Sequence, residues 1–347
     1  MKHSPLSFIF ASLVFVSVLA SGSLSASSEN VDGAVNPNGL SYVPDAVLMS
    51  NDETVYLLSR ANLSVFRWSV FQRAYTETVS LDAAPELMAY SDVTNRLYLG
   101  YADGIKQVKL NESLDVQDYI SKTALQGLST AGEYVFVCTS GGSWGTYYTY
   151  NPDGALVSQK DWSEYSNEYI WNAVNRRMYH LQDGFSPNDL HWEYINESGI
   201  FGDSRDSPYH DSTGIQHPIR VAPDGSVVIL GSGRVYDAIT LVHTHTLSNA
   251  ISDATWIGNN LFTLRDFEGA SQVQKWDADY SVQAALKLEG TPIRVFAVSE
   301  GLLVITHFLG KPWFWILDSN LNVVYQTPLH SVFLPSVYRN YCSSPIL

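Results

Sequence analysis

Asn259-Asn-Leu-Phe-Thr-Leu-Arg-Asp-Phe-Glu-Gly-Ala-Ser-Gln-Val-Gln-Lys-Trp-Asp-Ala-Asp279 reads as an apolar strand, a glycine-containing loop, an alternating strand and an aspartate-rich turn. The pattern recurs. Asn95-Arg-Leu-Tyr-Leu-Gly-Tyr-Ala-Asp-Gly-Ile-Lys-Gln-Val-Lys-Leu-Asn111 is a second copy, and Gly301-Leu-Leu-Val-Ile-Thr-His-Phe-Leu-Gly-Lys-Pro-Trp-Phe-Trp-Ile-Leu-Asp318 a third. Aligned on the apolar strand, the copies centre on Tyr56, Tyr98, Phe136, Tyr179, Val228, Phe262 and Leu303. The spacing is roughly 40 residues, the period of a unit of four strands.

Each unit divides into strands A to D. In the first these are Ala46–Met49, Thr54–Ser59, Leu63–Val70 and Ala74–Leu81; in the second, Glu86–Tyr90, Arg96–Ala102, Ile105–Leu110 and Leu114–Ile120. Ala222-Pro-Asp-Gly225 joins A to B in the fifth unit, and Asn151-Pro-Asp-Gly154 joins C to D in the third. Proline presets φ in such turns and glycine accepts a positive φ. No segment sustains a 3.6-residue apolar period, so few helices are expected. Seven sheets that are apolar on both faces can bury those faces against one another by closing into a ring. The spacing and the Pro-Asp-Gly turns over residues 40–327 resemble seven-bladed β-propellers of the broad YVTN and WD40-like class. The Gly-His and Trp-Asp dipeptides of WD40 repeats do not recur, Trp276-Asp277 standing alone, and no tryptophan-docking pattern of quinone dehydrogenases occurs. The resemblance therefore implies an all-β architecture of four antiparallel strands per blade, and no catalytic residue. Which terminus closes the ring is left open.

The 347 residues are 45% hydrophobic, 13% aromatic and 16% charged, enough apolar surface for a large core. Residues 1–26 read as a signal peptide: Lys2 and His3, an apolar run from Leu6 to Leu19, then small residues, with cleavage expected between Ala20 and Ser28. The run is too short to span a bilayer. Residues 27–39 read as a polar linker, and residues 328–347 as a tail that either packs on the ring or stays outside it. The expected address is secreted or periplasmic. Formal charge is −15, which argues against nucleic acid as a partner, and a monomer with no integral membrane segment is expected. Cys138 reads as a buried thiol, with a bridge to Cys342 left open.

Motifs for chemistry are few. His243-Thr-His245 places two imidazoles on one strand face, but the polar face of an outer strand explains it better than a metal does. Tyr209-His-Asp211 and His217 fall in a long segment, Ile200 to His217, read as a loop; no nucleophile accompanies them. No Gly-x-Ser-x-Gly, His-Glu-x-x-His or EF-hand ladder occurs. Trp313-Phe-Trp315 reads as packing between blades, and three Asn-x-Ser sequons carry no weight. No metal and no cofactor is expected.

In a blade that meanders from A to D, the B–C hairpins and D–A links emerge on one face of the ring. The longer loops there, including Gly141–Gly145, Asp183–Asp189, Phe267–Ser271 and Phe308–Pro312, would present Trp144, Phe185, Tyr209, His210 and His217 as a ligand-binding set. The reading is a non-catalytic propeller that binds an extracellular protein or polysaccharide. The alternatives are a propeller hydrolase or lactonase at the mouth of the central channel, and a structural module of an envelope assembly. A deep polar pocket with convergent carboxylates and histidine would favour the enzyme; an aromatic surface would favour the binder.

Overall fold

The second strand of every unit is apolar along most of its length, and its burial organises the molecule. The computed structural model describes residues 35–142, 144–183, 188–209 and 214–329. Blade 1 is β1 (Ala46–Met49), β2 (Thr54–Ser59), β3 (Ser64–Ser69) and an outer edge in two pieces, β4 (Ala74–Tyr75) and β5 (Val79–Ser80). Blade 2 is β6 (Leu87–Ser91), β7 (Arg96–Tyr101), β8 (Gly104–Lys109) and β9 (Val116–Ile120). Blade 3 is β10 (Leu125–Ala131), β11 (Tyr134–Ser140), β12 (Gly145–Tyr150) and β13 (Leu156–Ser163). Blade 4 is β14 (Tyr169–Asn172), β15 (Arg177–Leu181), β16 (Leu190–Ile195) and β17 (Phe201–Asp206). Blade 5 is β18 (Ile219–Val221), β19 (Val227–Leu230), β20 (Arg234–Asp237) and β21 (His243–Thr246). Blade 6 is β22 (Asp253–Ile257), β23 (Asn260–Phe267), β24 (Ala270–Trp276) and β25 (Val282–Leu288). Blade 7 is β26 (Thr291–Val298), β27 (Gly301–Phe308), β28 (Lys311–Leu317) and β29 (Val323–Gln326). Every blade is an antiparallel meander, and the molecule is a seven-bladed β-propeller.

The seven centres Tyr56, Tyr98, Phe136, Tyr179, Val228, Phe262 and Leu303 all lie on second strands and are all buried. Between adjacent blades the described residues form seven apolar clusters, one per junction. Each fully buried large side chain there contributes about 1.5–3 kcal/mol. The ring is thus held mainly through sheet faces, since main-chain ladders run within blades.

The aspartate-rich turn of the repeat has a common construction. Asn151, Asn196, Asp277 and Asp318 each follow a third strand, and each side-chain oxygen accepts from the amides two and four residues on. These Asx turns satisfy the amides that the tight reversal takes out of the ladder.

Closure requires no shared strand. Among the described residues, blades 1 and 7 are each completed by their own strands, and neither borrows one from the other. At that junction Trp68 stacks on Phe314 with centroids 4.1 Å apart and planes 1° from parallel. Arg73 pairs with Glu300 at 2.9 Å, and Glu53 accepts from the Ser299 amide. The end of the stretch read as linker docks here too. Asn36 caps a short 3-10 turn, Pro37–Gly39, while Val35, Leu40 and Tyr42 pack into the junction core. The Thr78 hydroxyl donates to the Val35 carbonyl, and the Ser41 hydroxyl to that of Gly310.

Three expectations are corrected. Phe201–Asp206 is a strand, β17, which leaves the blade 4–5 link to begin only at Ser207. Its residues after Phe201 are polar and exposed, so no apolar alternation marked it. Phe267–Ser271 and Phe308–Pro312 are not long loops but two-residue hairpins. Their central residues, Glu268-Gly269 and Leu309-Gly310, all have positive φ, which matches the twist of the flanking strands. The outer edge of blade 1 breaks after Tyr75, where Thr76 bonds back to the Arg67 carbonyl through its amide and its hydroxyl. Among the described residues no helix is long and apolar enough to cross a membrane.

Candidate functional site

The first strands of the blades form the hub, and those of blades 1 to 4 line a central cavity of about 870 Å³ together with His217 and Arg294. One side of it carries a charge network drawn from four blades. Glu168 precedes β14, His217 precedes β18, Arg220 lies on β18, Asp253 opens β22 and Arg294 lies on β26. His217 bonds through Nε2 to Asp183 at 2.8 Å and through Nδ1 to Glu168 at 3.2 Å. Glu168 also accepts from the Ile219 amide at 2.8 Å and from Arg220 at 2.6 Å. Arg220 Nε donates to the fully buried Asp253, which accepts the Val295 amide at 2.7 Å. Arg294 Nε lies 3.1 Å from the same carboxylate.

These contacts fix the charges. Burial opposes the His217 cation, but its hydrogen bonds to Asp183 and Glu168 outweigh that and raise it to about 9. Burial would raise Glu168, yet the Arg220 charge and the bonds from His217 and Ile219 bring it down to about 2. Asp183 is lowered in the same way, chiefly by the His217 bond against its own burial. Catalytic acids and bases need values near the working pH. Here the shifts of His217, Glu168 and Asp183 all move away from it, and both imidazole nitrogens are committed. The pocket expected of an enzyme is present in outline, but its groups are paired as a clamp between blades 4, 5, 6 and 7.

A second site lies at the rim of blade 3. Gly141, Trp144, Gly145, Thr146, Asp161 and Trp162 line a groove of about 540 Å³. Its geometry starts in a register shift: Gly145 faces Ser163 while Thr146 faces Asp161, so Trp162 is the extra residue of a β-bulge. Trp162 has φ +60° and is 77% exposed. The other non-glycine residues with positive φ among those described all sit outside the strands; Trp162 alone lies within one. A bulky side chain in the left-handed region costs roughly 1–3 kcal/mol, and such outliers gather at binding sites. Bulges redirect side chains in the same way.

Across the groove, Trp144 sits on the B–C loop and is 37% exposed. That glycine-rich loop is not slack. The Tyr165 hydroxyl lies 2.7 and 2.6 Å from the carbonyls of Gly142 and Trp144, which share its one proton, and accepts the Gly141 amide at 3.2 Å. In the same groove, Asp161 takes the Thr146 hydroxyl at 3.0 Å and the Gln159 amide at 2.9 Å, both on Oδ1.

The structure separates the expected ligand set. Trp144 belongs to the rim groove, His217 to the hub cavity, and Tyr209, 38% exposed, to the blade 4–5 link. Phe185 and His210 lie outside the described residues, as do the signal-peptide segment, Asp211, Cys342 and Ser331–Tyr338. His243 packs edge-on to Tyr236 and bonds Thr246, while His245 rests on Tyr280. Trp313 and Trp315 are buried, and burial pushes the Cys138 thiol up to about 11. Sequence reading missed Trp162, Glu168, Arg220, Asp253 and Arg294. Only Trp162 left a trace, as an indole in the otherwise polar run Ser158-Gln-Lys-Asp-Trp-Ser163.

No family model and no curated protein matches the chain. Among solved structures, the chain is similar to the WD40 β-propeller domain of Doa1 over 76% of its own length and 91% of that chain, at 14% identity and a TM-score of 0.51. The architecture is WD40-like. The same propeller is also similar to virginiamycin B lyase from Staphylococcus aureus, over 78% of this chain and 94% of that one, at 12% identity and a TM-score of 0.57. At such identities the likeness is one of fold, and the chemistry has to be argued from this chain's own side chains.

Proposed function

We propose that the protein is an exported, non-catalytic propeller that binds polysaccharide through the Trp144–Trp162 groove of blade 3. The observation that carries this reading is Trp162, turned outward by a strand bulge at a left-handed φ. Packing gives no return for that conformation, because the ring is exposed to solvent. An indole offers a flat apolar face for the C–H face of a sugar ring, with little rotamer entropy to lose. Two indoles and a carboxylate lining one groove suit a pyranose, whose hydroxyls seek a charged acceptor while its faces seek apolar contact. The apolar run near the N-terminus and the small residues after it support export. The paired charges of the hub cavity favour a binding role over the hydrolase.

Affinity electrophoresis through gels loaded with soluble polysaccharides, backed by a glycan array, tests the reading. Retardation by at least one polysaccharide is expected, and the Trp144→Ala/Trp162→Ala double variant should migrate unretarded with an unchanged melting temperature. Retardation that survives the double variant sinks the groove as the site.

A further inference from the structure

Under the outer half of the blade 3–4 junction lies a cluster that the sequence reading did not find. Glu164 follows β13, His180 is on β15 and Glu193 is on β16. One ligand atom from each, two carboxylate oxygens and an imidazole nitrogen, lies within 4.8 Å of the others. His180 is 0% exposed. Its Nε2 reaches the Tyr147 hydroxyl at 3.4 Å, but Nδ1 makes no hydrogen bond. His191 stacks on it at 5.4 Å, nearly parallel, and its Nε2 is likewise without one. Buried nitrogens without partners are uncommon in native proteins and require a reason. A fully buried imidazole nitrogen without a partner is a position from which a lone pair can be offered to an ion.

We infer that Glu164, His180 and Glu193 form a binding site for a divalent transition metal of the zinc class, with Lys160 as the competing internal cation. Two carboxylates and one neutral imidazole are a donor set that zinc accepts, leaving one position for water. The imidazole selects against calcium and magnesium, which prefer all-oxygen shells. Ligand atoms bonded at about 2.1 Å in a tetrahedral shell lie roughly 3.4 Å apart, so the three groups need only a modest contraction. Lys160 holds both Glu193 oxygens at 2.7 Å and also reaches Ser204 at 3.1 Å. Its side chain is 31% exposed, which leaves it a way out when the ion enters. The ion would bring two positive charges to two carboxylates where the lysine brings one.

Titration calorimetry of the chelator-treated full chain with Zn²⁺, and visible spectroscopy with Co²⁺, test the site. One equivalent should bind, with a Co²⁺ spectrum of low-coordinate N/O type. Glu164→Gln, at a half-buried position that leaves the core intact, should weaken binding at least tenfold. Lys160→Ala should tighten it, a result that a merely structural role of the cluster does not give. His180→Gln should abolish it, with circular dichroism to verify folding. The inference is overturned by the absence of saturable binding, or by one equivalent binding with the same affinity in Glu164→Gln and Lys160→Ala.

Discussion

The hub network and the rim groove occupy the same ring and spend their polar groups in opposite ways. At the hub, His217, Glu168, Arg220 and Asp253 close on one another across two blade junctions. At the rim, Trp162 is held out at conformational cost and Asp161 Oδ1 already carries two neutral donors. Charge that is fully paired holds structure together, whereas apolar area kept against solvent is free to meet a ligand. The presence of histidine and carboxylates in a cavity is thus a weaker sign of function than one misplaced indole.

The comparison breaks most readily at Arg220. Removing it leaves Asp253 and Glu168 buried without their main counter-charge, a loss of about 3–5 kcal/mol. Urea melts of Arg220→Ala should show that drop while saccharide retention persists below the midpoint. Unchanged stability would mean that the hub is not a clamp.

Next in size is the pH response. Glu168 is depressed from 4.5 to about 2, so its contribution is complete above 4.5 and fades as pH falls towards 2. His217 is raised from 6.5 to about 9, so its contribution is complete below 6.5 and fades as pH rises through 9. The stability difference between the wild type and His217→Asn should therefore be greatest near pH 5–6 and shrink on the alkaline side. A difference that grows towards pH 9 would reverse the assignment.

The rim should respond in binding alone. Trp144→Ala should cost roughly ten- to a hundredfold in saccharide affinity, the range of a truncated aromatic anchor. Trp162→Gly sharpens the contrast, because glycine accepts the left-handed φ without strain but loses more backbone entropy on folding. Affinity should fall at least tenfold while the melting temperature holds or rises slightly. A fall of several degrees would make Trp162 a packing residue. The smallest effect belongs to Phe71, 89% exposed on blade 1, whose change to Ala should alter stability by less than about 0.5 kcal/mol and leave binding intact.

Why some of this was legible and some not follows from how each feature is encoded. Tyr98 and Phe262 announce their strands because a second strand is buried on both faces and must be apolar along its length. Asp277 announces its turn because the side chain bonds only its own neighbours. Phe201-Gly-Asp-Ser-Arg-Asp206 is silent, since an outermost strand needs one ladder and no apolar face. Trp162 is nearly silent because its bulge exists only in the register against Thr146. The hub network and the Glu164–His180–Glu193 cluster are silent for a third reason. Their members come from separate strands or links and from more than one blade, and nothing local requires Asp253 to be acidic until Arg220 is placed beside it.

Among the described residues, no main-chain hydrogen bond joins blade 7 to blade 1. The ring is therefore a split washer rather than a stitched band. Parting it at the Trp68–Phe314 stack would unzip no ladder; it would expose apolar surface and release the Ser299 amide from Glu53, but break no bond between strands.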